Sequence, residues 1–242
     1  MRTKFSLIVI MFLVSFLFQT KAQTASSVLQ KVDEITSAPK DLNQKLVITL
    51  IDKKGRKQVR KALFWQKGTQ KRLFKFTEPA SYKGIAFLSL PNNVMYLYMP
   101  AYGKERRIAS SVKNQKFAGT DLSYDDMEAK KYTDKYKAVN LKVEGNYYIL
   151  TLTPKAKSAY SKIILKVNKS DYLPVYTEMY DKAGHKIKTM ETTFKKQGKY
   201  WIAQKIVVKD LKRNHSTILE NIETQFDTNL SDDIFTVRNM KQ

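Results

Sequence analysis

The sequence predicts a mainly β fold, in which one large antiparallel sheet of about a dozen strands curls around helical segments. Stretches of alternating apolar and polar residues recur from Leu46 to Phe226, separated by short turn sequences rich in Gly, Asn, Asp and Pro. This regular spacing is typical of antiparallel sheets and barrels. A dozen strands exceed what a flat sheet carries comfortably, so we expect this sheet to bend.

Residues 1–22 have the three regions of a secretory signal peptide. Basic MRTK precedes a run of 14 residues, FSLIVIMFLVSFLF, and the segment ends in QTKA, with Thr20 and Ala22 at the positions that signal peptidase reads. The run is shorter than the roughly 20 residues of a membrane-spanning helix. A retained anchor is the alternative. We expect cleavage after Ala22, leaving residues 23–242 as one periplasmic domain.

The chain is strongly basic and contains no cysteine. The missing thiols exclude disulfides, thiolate metal sites, cysteine nucleophiles and lipid attachment at cysteine. Loss of Arg2, Lys4 and Lys21 with the signal peptide lowers the formal net charge from +22 to +19. Such a charge favours an anionic partner. Because the protein is exported, we expect an anionic membrane surface and no nucleic acid; a generally solvated basic surface is the alternative.

One helix is predicted at the start of the mature chain. Ser27 and Gln30 have the spacing of a capping box. Apolar residues follow at helical spacing: Val28, Leu29, Val32 and Ile35. The helix should cover 27–37 and end before Pro39.

Alternation along the predicted strands separates an aliphatic, methionine-rich face from a face of lysine and tyrosine. The first face should point inward. Methionine adapts to varied apolar shapes, which suits a lipid pocket. The predicted lipid-binding residues are Phe74, Phe76, Leu88, Met95, Leu97, Met99, Ile163, Leu165, Val175 and Met179. Ordinary core packing is the alternative for each of them.

The acidic segment 117–127 interrupts the strand pattern. It lacks the spacing of a calcium loop, and adjacent Asp125 and Asp126 would point apart, which disfavours a catalytic carboxylate pair. Ser123 and Asp126 fit a capping box at the start of a short helix. That helix could lie across the open side of the sheet as a lid. The predicted lid residues are Phe117, Leu122, Tyr124 and Met127.

No catalytic or cofactor motif is present in the sequence. His185 and His215 lie in turn-like sequences and should be exposed, and a zinc site would need three or four ligands. Neither a G-x-S-x-G sequence nor a phosphate-binding glycine loop occurs. We therefore expect no enzyme, no metal and no cofactor.

Several short segments resemble a known family, and they occur in the same order. They are FWQKG (64–68), LFKF (73–76), KGIAFL (83–88), YMP (98–100), RRI (106–108), FAGTDLSYDD (117–126), YLP (172–174), YDKAG (180–184) and DIF (233–235). Together they span most of the mature chain. The sequence thereby resembles the LolA-like outer-membrane lipoprotein-sorting proteins of Gram-negative bacteria.

This resemblance implies a strongly curved antiparallel half-barrel of about 11–12 strands with α-helices packed on its concave face. It also implies an apolar cavity that takes the acyl chains of lipoproteins or other lipids for sorting toward the outer membrane. Membrane-bound donor and acceptor proteins would be partners, and the carrier should be a monomer. The alternative is a half-barrel interaction module, an envelope sensor or exporter accessory that binds a protein or glycan.

Overall fold

The computed structural model describes residues 23–242. The predicted signal peptide and its cleavage lie outside the described residues. Those residues form 13 antiparallel strands in one unclosed, curved sheet with a few helices, which confirms the predicted mainly β fold. One strand more is present than the sequence predicted, Lys104–Arg107, because its four charged residues, KERR, carry no alternating pattern.

In chain order, strands β1 to β13 span Asp41–Ile51, Lys57–Lys67, Lys71–Glu78, Ala86–Leu90, Val94–Met99, Lys104–Arg107, Tyr136–Glu144, Tyr147–Pro154, Lys162–Asn168, Pro174–Tyr180, Lys186–Gln197, Tyr200–Asp210 and His215–Phe226. Helices α1 to α4 span Ala25–Thr36, Tyr124–Met127, Tyr132–Lys135 and Val237–Met240. Short 3-10 helices cover Pro100–Tyr102, Ser110–Val112 and Asp232–Phe235.

The sheet consists of two meandering arms that meet at its centre. Its order is β6-β5-β4-β3-β2-β1-β13-β12-β11-β10-β9-β8-β7. We call β1–β6 the first arm and β7–β13 the second arm. The two edge strands, β6 and β7, are consecutive in the chain, so residues 108–135 must run from one edge of the sheet to the other. We call this segment the insert.

Several interruptions of the ladder help the sheet to bend. Register shifts occur in six of the strand pairs, including the central pair β1–β13 between Lys45 and Leu46. A bulge locally bends a strand and increases its twist. The curvature leaves one face of the sheet concave, and both α1 and the insert lie on that inner face.

Helix α1 begins earlier than the sequence predicted. Thr24 is the N-cap: its side-chain Oγ1 accepts a hydrogen bond from the Ser27 N–H, and Ser27 Oγ accepts one from the Thr24 N–H. The predicted cap at Ser27 was wrong because Thr24 and Ser27 form the same reciprocal arrangement three residues upstream. The helix ends at Thr36, three residues before Pro39, which lies in the turn into β1.

Three clusters of buried apolar residues hold the molecule together. In the second arm, α1 packs on the inner face through Val28, Leu29, Val32, Leu150, Leu152, Ile163, Leu165, Val167 and Met179. In the first arm, the insert packs on the inner face through Ile48, Phe74, Phe76, Phe87, Met95, Phe117 and Tyr124. On the outer face, the C-terminal segment covers β3 and β4 through Leu73, Ala86, Leu88, Leu230, Phe235 and Met240. The two inner clusters leave a space between them.

Candidate functional site

A cavity of about 400 Å³ lies between the two inner clusters. Its apolar lining comes from both arms and from the insert: Leu42, Leu46, Phe64, Phe74, Phe87, Leu122, Met127, Leu173, Met190, Phe194, Trp201, Ile202, Ile206 and Leu219. Helix α1 closes one side with Asp33 and Thr36. Since strands from both arms face the same space, the curvature of the sheet creates the cavity.

The size of the cavity suits one small ligand. Small-molecule sites occupy roughly 300–1,000 Å³ and are mostly apolar with a few polar groups. At about 400 Å³ the cavity falls in the lower part of that range. Its polar lining includes Gln44, Gln66, Arg72 and Asn221. The arrangement can shelter a hydrocarbon chain and contact a polar group at a few defined points.

Most of the predicted lipid-binding residues lie in the packed clusters beside the cavity. Phe74 lines the cavity. The buried side chains of Phe76 and Met95 pack under the insert, with Leu97 against them. Ile163, Leu165 and Met179 pack under α1. Alternation identified the inner face in these strands, but it could not tell which part of that face a helix covers.

Three other predicted residues lie elsewhere. Leu88 is on the outer face, where it packs against the C-terminal segment, because its neighbour Phe87 takes the inward position in β4. Val175 lies at a register shift between Pro174 and Tyr176, which breaks the alternation assumed for β10. Met99 ends β5 and is half-buried, away from the cavity lining.

The sequence did not identify the lining from the centre of the sheet. Leu219 and Leu46, on β13 and β1, face the cavity, as do Trp201 and Ile206 on β12. Their alternation was visible in the sequence, but it resembles that of every other strand. Only the topology, with β1 beside β13, shows that these strands lie opposite the gap between α1 and the insert.

The insert begins its first helix with the capping box that the sequence predicted. The Asp126 N–H donates to Ser123 Oγ at 3.1 Å, and the Ser123 N–H donates to Asp126 Oδ2 at 2.8 Å. Asp125 and Asp126 lie in the first turn of α2, where the helix dipole favours negative charge. The local prediction is therefore confirmed.

Asp126 also fixes the insert to the second arm. Lys188 Nζ on β11 donates to Asp126 Oδ2 at 2.7 Å, and the Tyr160 hydroxyl donates to Asp126 Oδ1 at 3.0 Å. Burial alone would raise the pKa of Asp126, but the Lys188 ammonium and the Ser123 N–H outweigh it and hold the pKa below its ordinary value. Burial raises the pKa of Tyr160 well above its usual range. The group is a buried ion pair with a neutral phenol.

A second polar anchor joins the insert to the centre of the sheet. The fully buried Asp121 carboxylate contacts His215 Nδ1 at 2.6 Å and accepts from Thr217 Oγ1 at 2.8 Å, both on β13. Lys116 Nζ lies 3.2 Å from the same carboxylate. The prediction that both histidines are exposed was wrong for His215, whose side chain is 11% exposed, and correct for His185, at 75%.

Aromatic packing holds the start of the insert against the first arm. The Phe117 ring lies 5.4 Å from Phe74 and 5.5 Å from Phe76 between ring centroids, and Tyr124 stacks on Phe87 at 6.0 Å. Phe117 and Tyr124 are buried in this cluster, whereas Leu122 and Met127 line the cavity. The four predicted lid residues thus divide into two that pack on the sheet and two that face the cavity.

Helix α1 and the end of the insert are tied together by Asp33. Its carboxylate accepts hydrogen bonds from the Tyr132 N–H at 2.7 Å and the Thr133 N–H at 2.9 Å. The Thr133 hydroxyl donates to the same group at 2.6 Å. Because Asp33 also lines the cavity, this contact closes the wall between α1 and α3.

Residues 23–242 contain neither a cluster of metal ligands nor a membrane-spanning helix. No group of three or more His, Cys, Asp or Glu side chains in that range is arranged to hold a metal ion. Over the same range, none of the helices has the length and apolar character needed to cross a membrane.

Three solved structures share this fold over nearly their whole lengths. An outer-membrane lipoprotein-sorting protein domain from Vibrio parahaemolyticus is 24% identical, with a TM-score of 0.81, over 90% of this chain and 100% of that one. A DUF1329 family protein from Desulfovibrio piger is 23% identical, with a TM-score of 0.82, over 89% and 97%. A LolA superfamily protein from Nitrosomonas europaea is 25% identical, with a TM-score of 0.75, over 90% and 99%. The fold is LolA-like, which confirms the predicted resemblance.

Family membership follows from the sequence. A family model described as an uncharacterized protein matches residues 68–242, more than half of the chain, and the chain belongs to that family. No curated protein sequence is significantly similar to it. The family description names no activity. The proposed function therefore rests on the shape and chemistry of the cavity.

The ion pair that anchors the insert gives a pH-dependent prediction. Replacing Asp126 with Asn should lower the free energy of unfolding by about 3 kcal/mol near neutral pH, because it leaves the Lys188 ammonium buried without its partner. The carboxylate has a lowered pKa in the folded state, so its stabilising effect is present above its ordinary value of 3.8 and is lost as the pH falls below it. Urea unfolding of both proteins should show a difference that shrinks below that pH.

The matched control is Glu34→Gln, which removes an exposed carboxylate paired with Lys31 on the surface of α1. Exposed pairs contribute little to stability, so this variant should unfold like the wild-type protein. Equal stability of Asp126→Asn and Glu34→Gln near neutral pH would contradict the anchoring role of Asp126.

Proposed function

We propose that the protein is a periplasmic carrier that binds acyl chains of lipids or lipoproteins in its cavity and sorts them toward the outer membrane. The observation that carries this proposal is the 400 Å³ apolar cavity between the curved sheet, α1 and the insert. Similarity to an outer-membrane lipoprotein-sorting protein domain and to a LolA superfamily protein supports it. A carrier needs no catalytic group, in keeping with the expectation that the protein is not an enzyme.

The energetics of a carrier favour an apolar lining with few polar contacts. Each buried methylene gains about 0.8 kcal/mol, so full burial of a 16-carbon chain would gain roughly 12 kcal/mol. A bilayer offers the same gain, and binding much tighter than this would prevent release. Aliphatic, aromatic and methionine side chains such as Leu219, Phe64 and Met190 provide burial without directed bonds. The cavity can therefore exchange a chain with a membrane.

The insert would act as the cover of the bound chain. Leu122 and Met127 contribute the cavity-facing surface, while Phe117 and Tyr124 hold the cover in place on the first arm. Phe76, Met95, Leu165 and Met179, with the other buried residues of the inner clusters, would support the cavity walls from behind.

The outer face would dock on an anionic membrane surface. On the second arm, Lys162 lies over the Tyr180 ring at 4.6 Å and Lys166 lies over the Tyr147 ring at 3.9 Å. In these pairs the aromatic rings hold the lysine ammonium groups at the surface of the sheet. Each basic residue near an anionic membrane contributes about 1 kcal/mol of attraction. Residues 1–22 would direct export and be removed, leaving 23–242 as a monomeric domain that visits membrane-bound donor and acceptor proteins.

Filling the cavity tests the proposed function. Thr192 lines the cavity on β11, and the adjacent Thr193 is exposed on the opposite side of the strand. We expect Thr192→Trp to weaken binding of a fluorescent fatty acid by about tenfold or more, since the indole occupies space that the chain needs. Thr193→Trp should bind like the wild-type protein. Thermal unfolding would establish that both variants remain folded.

Two results would contradict the carrier function. One is equal fatty-acid binding by folded Thr192→Trp and Thr193→Trp. The other is an organic extract of the purified protein that contains neither lipid nor acylated peptide by mass spectrometry, together with no binding of added fatty acid. An empty cavity that rejects added chains would instead favour the interaction module that binds a protein or glycan.

Docking through charge gives a further prediction. Binding to vesicles of anionic phosphatidylglycerol should weaken steadily between about 0.05 M and 0.5 M salt, because exposed charges are screened over distances beyond a few ångströms at the higher concentration. Vesicles of zwitterionic phosphatidylcholine provide the control and should bind weakly at every salt concentration. Binding to anionic vesicles that is independent of salt, measured by cosedimentation, would exclude the electrostatic docking surface.

A further inference from the structure

One arginine lines the cavity among mostly apolar side chains. Arg72 lies on β3 beside Phe74, and its guanidinium faces the cavity near the end of the insert. Burial lowers the pKa of Arg72 to about 10, which still leaves the group charged at neutral pH. A buried charge is costly unless a partner compensates it. The partners that Arg72 has are therefore informative.

The protein uses only part of the hydrogen-bonding capacity of this guanidinium. Arg72 Nε donates to Gln66 Oε1 at 2.8 Å, and Nη1 donates to the Glu128 carbonyl at 3.0 Å and the Met127 carbonyl at 3.5 Å. A guanidinium has five N–H donors in a planar fork. Within residues 23–242, Nη2 makes no hydrogen bond and no carboxylate forms a salt bridge with Arg72. All three acceptors are neutral.

The carboxylates near Arg72 already have other hydrogen-bond or ion-pair partners. The Glu128 carboxylate pairs with Lys113 at 3.2 Å and with Lys130 at 3.4 Å, so only its backbone carbonyl is turned to Arg72. The Asp33 and Asp126 carboxylates, which also line the cavity, are held by the hydrogen bonds and the ion pair described above. None of these carboxylates forms a salt bridge with Arg72, although the Glu128 carboxylate is close enough to favour its charged form.

The cavity wall next to Arg72 adds further positive charge. Lys130 and Lys131, at the end of the insert, both line the cavity. A pocket with a free guanidinium edge, Lys131, the Glu128-paired Lys130 and a long apolar remainder is complementary to an amphiphile. The anionic end would meet the basic groups, and the hydrocarbon would lie along Phe74, Leu219 and the rest of the apolar wall.

We propose that the cavity selects a single-chain amphiphile with an anionic headgroup, a carboxylate or a phosphate, and that the guanidinium of Arg72 binds this headgroup through Nη2. The inference rests on the proposed carrier function and narrows its cargo. A cavity of about 400 Å³ fits one chain better than several. Arginine forms strong, directional hydrogen bonds with both headgroups, which suits a guanidinium with a free edge at the cavity wall.

Competition binding tests the headgroup preference. A neutral fluorescent probe, N-phenyl-1-naphthylamine, is displaced by palmitate, by palmitoyl lysophosphatidate or by neutral hexadecanol, all below their micelle concentrations. Hydrogen bonds to a charged group contribute about 1.5–3 kcal/mol, so the wild-type protein should prefer the anionic ligands by about tenfold to a hundredfold. Preference for only one anion would identify the carboxylate or the phosphate as the recognised group.

The variant Arg72→Gln should lose this preference, with hexadecanol binding unchanged within about twofold, and Arg72→Lys should keep part of it. An equal loss for all three ligands in Arg72→Gln would overturn the inference, because Arg72 would then act only by holding the insert. Equal binding of palmitate and hexadecanol by the wild-type protein would also overturn the inference. That comparison does not depend on whether a variant folds. If no ligand displaces the probe, the carrier function itself fails.

Discussion

The whole architecture depends on one connection, the passage of the chain from edge strand β6 to the opposite edge strand β7. The sheet order places these consecutive strands at the two ends of a 13-stranded sheet, so residues 108–135 have to cross it. On a curved sheet the short route runs over the concave face. The topology therefore requires a crossing segment, and Phe117 and Tyr124 pack the insert onto the inner face. The side chains of the insert then determine how strongly it is anchored to the sheet and how large a cavity remains beneath it.

Polar contacts locate the insert, and apolar contacts shape the space under it. Asp126 binds Lys188 on the second arm, Asp121 binds His215 and Thr217 at the centre, and Phe117 packs on the first arm. Buried charged groups are costly unless paired, so these contacts favour one position of the insert over others. Between them, Leu122 and Met127 face a cavity that neither α1 nor the insert fills. An apolar space beneath an anchored cover would suit the proposed burial of a hydrocarbon chain.

Local features could be predicted from the sequence, and long-range ones could not. The strands, the bend and the Ser123–Asp126 cap follow from residues close together in the chain. The pairing of Asp121 with His215 joins residues 94 positions apart, and nothing in either local sequence indicates it. Alternation identified Ile163 and Leu165 as inner-face residues but did not reveal the helix that covers them. In β4 it did not show which alternate residues point inward, so the prediction for Leu88 was wrong. The place of Arg72 at the cavity could not be predicted, because RLFKFT has the pattern of an ordinary strand.

The two tryptophans allow the central claim, that the inner cavity holds a hydrocarbon chain, to be tested directly. Trp201 lines the cavity, whereas Trp65 packs against the C-terminal segment on the outer face. Bromine atoms quench indole fluorescence at contact, so dibrominated stearate should quench Trp201 in Trp65→Phe in a saturable way. The same ligand should not quench the fluorescence of Trp65 in the Trp201→Phe variant. Equal quenching of the two indoles, or none of Trp201 when the ligand is bound, would contradict the account.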